Sequence, residues 1–215
     1  IAAMNNNTEM IDLLLNYKSE QITLDLNMPD VSNMTALLWA IKNNNIDIVN
    51  SLLNYKHDTY TIDINFIGSY NQTALIWAVK NNNTAIVKAL LNYKTTIDIN
   101  FREKYDKSAL SWAIYNRNTE IIELLLSYQK DNYIIDLNYL DKNQDNYLIL
   151  ATKTNNVKIV QLILNYRVKD YIININSQDK HGKTALIYAI EKNNIDIVKA
   201  LLNYKQQIID INLQD

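Results

Sequence analysis

TALIWAVKNNNTAIVKALLNY, residues 73 to 93, is an apolar stretch, an Asn-rich break and a second apolar stretch, and relatives of it recur along the chain. They are TALLWAIKNNNIDIVNSLLNY ending at Tyr55, SALSWAIYNRNTEIIELLLSY ending at Tyr128, NYLILATKTNNVKIVQLILNY ending at Tyr166 and TALIYAIEKNNIDIVKALLNY ending at Tyr204. The opening IAAMNNNTEMIDLLLNY, to Tyr17, is the same unit without its front. The terminal tyrosines step by 38, 38, 35, 38 and 38 residues, which composition alone does not generate. A period of this size marks a repeat array, whose units bury their apolar faces against neighbours instead of around one central core.

Within the second copy, Leu37, Ala40 and Ile41 fall at helical spacing. Thr35 and its equivalents Thr73, Ser108, Asn146 and Thr184 are predicted N-caps, because each side chain can accept from an otherwise unpaired amide. After the break, Ile48, Val49, Leu52 and Leu53 form an apolar stripe, with Asp47 in the first turn where the helix dipole favours it. The predicted helices are about nine to eleven residues long, below the roughly 12 to 15 that an isolated helix needs, so stacking must hold them. Ala2, Ala40, Ala78, Ala113, Ala151 and Ala189 keep one first-helix position small enough for close helix approach. Asn44, Asn82, Asn155 and Asn193 are expected at positive φ between the helices; Arg117 replaces Asn in the fourth copy, which predicts a strained or differently shaped turn.

Between units runs a segment ending in Asp25-Leu26-Asn27, Asp63-Ile64-Asn65, Asp98-Ile99-Asn100, Asp136-Leu137-Asn138, Asn174-Ile175-Asn176 and Asp210-Ile211-Asn212. The alternation of Ile62, Ile64 and Phe66 suits a short extended stretch with one buried face. Pro29 and Asn33, Gly68 and Asn71, and Gly182 mark the turns that follow.

Composition narrows the function classes. Of 215 residues, 48% are apolar and 20% are charged, and the net charge of -2 offers no basic excess for a phosphate backbone, so nucleic acid is not an expected partner. Without cysteine there is no disulfide framework and no thiolate zinc site, which fits a reducing compartment: the cytoplasm, or a host cell's cytoplasm if the parent is a secreted effector. No apolar run reaches the roughly 18 to 20 residues of a membrane span, so membrane insertion is not expected. Asn-x-Thr sequences at Asn6, Asn33, Asn71 and Asn82 sit at recurring turn positions and read as turn residues in preference to glycosylation sites. The start at Ile1, inside a unit, leads to the expectation of a fragment of a longer chain.

The residues resemble the ankyrin repeat. The sixth unit carries most of the pattern, in Asp179, Gly182, Thr184, Ala185, Leu186, Ala189, Asn194, Ile197, Val198, Leu201, Leu202, Asp210, Ile211 and Asn212, and the resemblance covers essentially the whole chain. It implies an all-α repeat solenoid of stacked antiparallel helix pairs with projecting hairpin-like loops, six pairs over residues 1–215 with the first truncated. Departures are regular. The family's proline becomes Ala36, Ala74, Ala109, Tyr147 and Ala185; its histidine becomes Leu38, Ile76, Ser111, Ile149 and Ile187; its glycine after the second helix becomes Lys18, Lys56, Lys94, Gln129, Arg167 and Lys205. The usual stride is about 33 residues. The surplus here lies just after each terminal tyrosine, which predicts either a second helix prolonged by about a turn or a longer loop.

No catalytic chemistry is legible, and no enzyme activity, cofactor or metal is expected. Asp25, Asp63, Asp98, Asp136 and Asp210 repeat at one position, but stacked units place equivalent carboxylates about 8 to 10 Å apart, too far to share a cation. His57 and His181 belong to different linker positions, and no hydrolase or phosphate-loop motif accompanies them. Trp39, Trp77 and Trp112, continued by Leu150 and Tyr188, read as a core ladder in preference to a recognition stripe. The six terminal tyrosines read as packing at the helix ends, with hydroxyls reaching solvent.

The resemblance implies a protein–protein interaction module that binds a protein or peptide through its loop tips and concave first-helix face. On this sequence the candidates are Ser69, Tyr70, Gln72, Lys80, Asn81, Tyr105, Lys107, Tyr115, Lys142, Asn143, Lys153, Lys180 and His181, with Tyr70 and Tyr105 as anchors. The alternative is a structural spacer or cap for an attached domain, catalytic or not, in intramolecular contact with flanking repeats or domains.

Overall fold

A computed structural model describes residues 1–17, 24–55, 61–128, 130, 134–168 and 171–213. Lys18, Lys56, His57 and Gln129 lie outside the described residues. Among those described there are eleven α-helices, one 3-10 turn (Ser69–Asn71) and no strand beyond an isolated bridge between Gln178 and Thr184. The fold is all-α, as the resemblance implied.

The chain forms two compact units, Ile1–Ala109 and Leu110–Asp215. The first holds α1 (Thr8–Asn16) and the pairs α2 (Ala36–Lys42) with α3 (Ile46–Leu53) and α4 (Ala74–Lys80) with α5 (Thr84–Leu91). Here first helix stacks on first helix, α2 on α4, and second on second, α1 on α3 and α3 on α5. The other unit takes up the pair α6 (Ala109–Tyr115) with α7 (Thr119–Leu126), then α8 (Tyr147–Lys153) with α9 (Val157–Leu164) and α10 (Ala185–Glu191) with α11 (Ile195–Leu202). In it α8 packs on α10, α7 on α9 and α9 on α11. The first helices have seven residues, shorter than the sequence predicts, and gain their stability from what they bury. Ala40, Ala78, Ala113, Ala151 and Ala189 are fully buried, as close helix approach requires, and Leu38, Ile76 and Ile149 pack where the family pattern has histidine.

Each residue of the Asn-rich break has its own task. Asn43 Nδ2 donates to the carbonyls of Ala3 and Met4, and Asn81 Nδ2 to that of Ile41, tying each turn to the repeat before it. Asn44, Asn82, Asn155 and Asn193 take φ of 58°, 55°, 58° and 51°. Asn45, Asn83, Asn118, Asn156 and Asn194 cap the second helices, with the side-chain oxygen accepting from the amide three residues on. Arg117 has φ 56°, so its turn is strained for a side chain of that size but has the same shape as the others. Asn6, Asn33, Asn71 and Asn82 all sit at positive φ, a turn role for each Asn-x-Thr sequence.

The linker segments are stitched by the Asp and Asn series. Oδ1 of Asp25, Asp63, Asp98, Asp136 and Asp210 accepts from the amide two residues later, at 2.9 to 3.2 Å. Asn27 then reaches the next segment twice, Nδ2 to the Thr61 carbonyl and Oδ1 from the Asp63 amide; Asn65 does the same with Thr96 and Asp98, and Asn138 with Ile172 and Asn174. These bonds give both series a role in joining successive linkers. One open alternative is decided and one expectation is corrected in part. The second helices stop before their tyrosines, at Leu53, Leu91, Leu126, Leu164 and Leu202, so of the prolonged helix and the longer loop the first does not occur. Tyr17 is exposed, as expected, but the hydroxyls of Tyr93, Tyr166 and Tyr204 turn inward and accept from the amides of Ile62, Ile135 and Ile173, closing a polar group that burial would otherwise leave unpaired.

Candidate protein-binding face

The loop tips are built on a five-residue turn whose first amide donates to the carbonyl of the fifth residue: Asp30 to Met34, Gly68 to Gln72, Glu103 to Lys107, Asp141 to Asp145 and Asp179 to Lys183. Its fourth residue takes positive φ, at Asn33, Asn71, Asp106, Gln144 and Gly182. Where the first residue is Asp, its Oδ1 also accepts from the third and fifth amides, at 2.8 and 3.0 Å for Asp30 and Asp141 and at 2.9 and 3.0 Å for Asp179. The other carboxylate oxygen is then free to meet the first helix. Asp30 Oδ2 accepts from Trp39 Nε1 at 2.8 Å, and Asp179 Oδ2 from the Tyr188 hydroxyl at 2.6 Å.

Two tips depart from this. Gly68 has no carboxylate, and a Cβ there would stand 2.3 Å from Leu38 Cδ1. The tip instead makes two consecutive left-handed residues, Tyr70 at φ 61° and Asn71 at φ 56°. Trp77 Nε1 is buried without a hydrogen-bond partner, and Trp112 Nε1, at the same position of the next repeat, is buried as well. Glu103 is one methylene longer than Asp, and both of its carboxylate oxygens are buried without a hydrogen bond, as is Gln72 Oε1. Glu103 is 4% exposed and Gln72 2%.

In the other unit the equivalent groups are satisfied. Lys153 Nζ lies 2.6 Å from Asp145 Oδ1 and 3.1 Å from Asp179 Oδ2, and 4.6 Å from the Tyr188 ring centroid. Burial pushes Asp179 up, but the Tyr188 hydroxyl, the His181 and Lys183 amides and the Lys153 ammonium outweigh it and hold this carboxyl well below its usual range. Asp145 goes the other way, because burial, together with the neighbouring charges of Asp141 and Asp179, outweighs Lys153 and raises it. Burial lowers Lys153, yet its hydrogen bond and charge contact with Asp145, and its bond to Asp179, leave it raised. Lys183 and Glu191 form a further pair beside them.

The predicted site residues therefore divide. Tyr70, Tyr105 and Tyr115 are exposed, at 70%, 63% and 49%. Tyr70 meets Trp77 edge-on, with ring centroids 6.4 Å apart, and Lys80 Nζ is 5.8 Å from the Trp77 ring. Lys142, Asn143, Lys180 and His181 are exposed, although Lys180 is tied to Asn143 by its backbone amide and its ammonium. Ser69, Lys80 and Lys107 are half-buried, and the Ser69 hydroxyl donates to the Ser32 carbonyl. Gln72 is corrected to a buried position, Asn81 to a structural tie and Lys153 to a half-buried ion-pair residue. The tryptophans are half-buried, partway between core ladder and open stripe. Glu103 and Asp179 escaped the sequence reading of the site; the signal for them was the series Asp30, Gly68, Glu103, Asp141, Asp179 at one tip position.

A family model described as "Ankyrin repeats (3 copies)" matches residues 1–65, 59–136 and 130–215. Among solved structures, EF0377, an ankyrin repeat protein, is similar at 24% identity over 95% of this chain and 96% of that one, with a TM-score of 0.76. The ankyrin repeat domain of Bcl-3, a member of the IkappaB protein family, gives 23% over 95% and 84%, TM-score 0.74. A structure of the predatory endopeptidase Bd0816 from Bdellovibrio bacteriovorus in complex with the immunity protein Bd3460 gives 24% over 95% and 96%, TM-score 0.69. No curated protein matches the sequence.

Proposed function

The chain belongs to the ankyrin repeat family, and from that premise we propose that it binds a protein or peptide through its loop tips and the exposed side of its first helices. Ankyrin repeats are in general protein–protein interaction modules, and their fold is typically non-catalytic. The observation that carries the reading is the exposure of Tyr70, Tyr105 and Tyr115 at tip and first-helix positions, two of them resting against the half-buried Trp77 and Trp112 with much of the ring open to solvent. Tyrosine supplies large contact area at low entropic cost, and it is enriched among residues that dominate binding energy. The absence of cysteine supports the cytoplasm, or a host cell's cytoplasm, as the place of binding. Among the described residues no helix is long and apolar enough to cross a membrane.

The test is a pull-down from lysate with the wild-type chain and with Tyr70→Ala and Tyr105→Ala together. Specific partners are expected to be lost, each anchor being worth about 2 kcal/mol. Retention of every specific partner by the double variant refutes the tip assignment.

A further inference from the structure

The tip of the fourth repeat and the first helix of the third contain an incomplete copy of an ion-pair set that the chain completes elsewhere. Counting by repeat, Gln72, Lys80 and Glu103 stand where Asp145, Lys153 and Asp179 stand two repeats later. In the later set one ammonium bridges two buried carboxylates. In the earlier set, which lies within the first compact unit, Gln72 Oε1 and both Glu103 oxygens are buried with no hydrogen-bond donor. A buried acceptor left unmade is costly, and a carboxylate more so than an amide.

Resting on the protein-binding reading above, we propose that this place receives an arginine side chain of the partner protein, whose guanidinium donates to Glu103 and Gln72 as Lys153 donates to Asp179 and Asp145. Three acceptor atoms lack donors, two of them on one carboxylate, and a planar guanidinium offers five N–H groups in a fork that fits a carboxylate in bidentate fashion. Aromatic residues suited to stacking on a guanidinium are near in sequence: Tyr70, two residues before Gln72 and edge-on against Trp77, and Tyr105, two residues beyond Glu103. The three oxygens are closed from solvent, so entry requires a side-chain rotation at the rim. Tyr70, exposed and two residues from Gln72, is the side chain to which we assign that rotation.

The test is an NMR titration of the whole labelled chain with N-acetylated tetra-arginine, tetra-lysine and tetra-glutamate amides. The readouts are the side-chain carboxyl carbon of Glu103 and the indole N–H of Trp77, the latter assigned from its loss in Trp77→Phe. Tetra-arginine is expected to move both resonances, tetra-glutamate neither, and tetra-lysine to bind several-fold more weakly. Glu103→Gln is expected to weaken tetra-arginine about tenfold, and Gln72→Leu, a second variant should the first fail to fold, about threefold. An unmoved Glu103 carboxyl, equal binding by tetra-lysine, or undiminished binding by both variants overturns the proposal. Such a failure leaves the protein-binding reading standing if the pull-down still depends on Tyr70 and Tyr105.

Discussion

Asp145, Lys153 and Asp179 form a closed set of charges, whereas Gln72, Lys80 and Glu103, at the same repeat positions, leave three buried oxygens without donors. The closing backbone bond is the same in each tip, Gly68 donating to Gln72 and Glu103 to Lys107 at 3.0 and 3.1 Å, as Asp179 does to Lys183 at 3.0 Å, although the Gly68 tip has a second left-handed residue in Tyr70. The turn is fixed by that bond and by a fourth residue at positive φ, and the side chain at its first position is left to serve either stability or recognition. In the fifth and sixth repeats it serves stability. In the third and fourth, bonding within the chain is given up at the side chains flanked by exposed tyrosines.

The sharpest way to break this comparison is to remove one carboxylate from each side. Asp179→Ala strips an acceptor from Tyr188, Lys153, His181 and Lys183 and is expected to lower unfolding stability by about 3 kcal/mol. Glu103→Leu removes a buried carboxylate that makes no hydrogen bond and is expected to raise stability by about 1 kcal/mol. Urea unfolding of both variants reads the two signs directly; equal destabilisation would mean that the Glu103 site is as well satisfied as that of Asp179.

Acidification separates the same two sites more gently. Asp179 is held below its unfolded value, so its contribution is fully present above about pH 4 and is lost as pH falls through the lower folded value. Asp145, raised by burial, acts in the opposite sense over the interval between its unfolded and folded values. Lys153 is raised, so its contribution is complete below about pH 10.4 and fades only as pH climbs through its higher folded value. A stability–pH profile is therefore expected to fall below about pH 4, and Asp179→Ala to flatten that limb. An unchanged acid limb in the variant would assign the loss to other carboxylates.

How much of this was legible in the sequence follows from which signals repeat. Six copies of one pattern made the helices, the caps at Thr35, Thr73, Asn146 and Thr184, and the fully buried Ala78 readable, because a periodic apolar face has one packing solution. The hydroxyls of Tyr93, Tyr166 and Tyr204 were misread because their partners, the amides of Ile62, Ile135 and Ile173, are 31 residues upstream, a distance that only stacking closes. The burial of Gln72 was missed for a related reason. A polar residue in a tip reads as exposed, whereas its burial depends on the neighbouring repeat. Tyr70 and Tyr105 read correctly as exposed because their tips project past that packing.

Arg117 tests the same lesson where no partner is in question. Its five equivalents, Asn6, Asn44, Asn82, Asn155 and Asn193, take φ between 51° and 58°, and Arg117 takes 56°, so residue type has changed while shape has not. The Arg117 amide donates to the Ile114 carbonyl as Asn44 donates to Ile41, which holds the turn whatever the side chain. The cost of the substitution must then sit in the dihedral energy of a long side chain held in the left-handed region, where Asn is better tolerated because its short amide can bond locally. Arg117→Asn is expected to raise stability by about 0.5 to 1 kcal/mol with an unchanged denaturant slope. A loss of stability would show that the guanidinium makes a contact worth more than the strain, and would place Arg117 with Glu103 among the residues kept for something other than the turn.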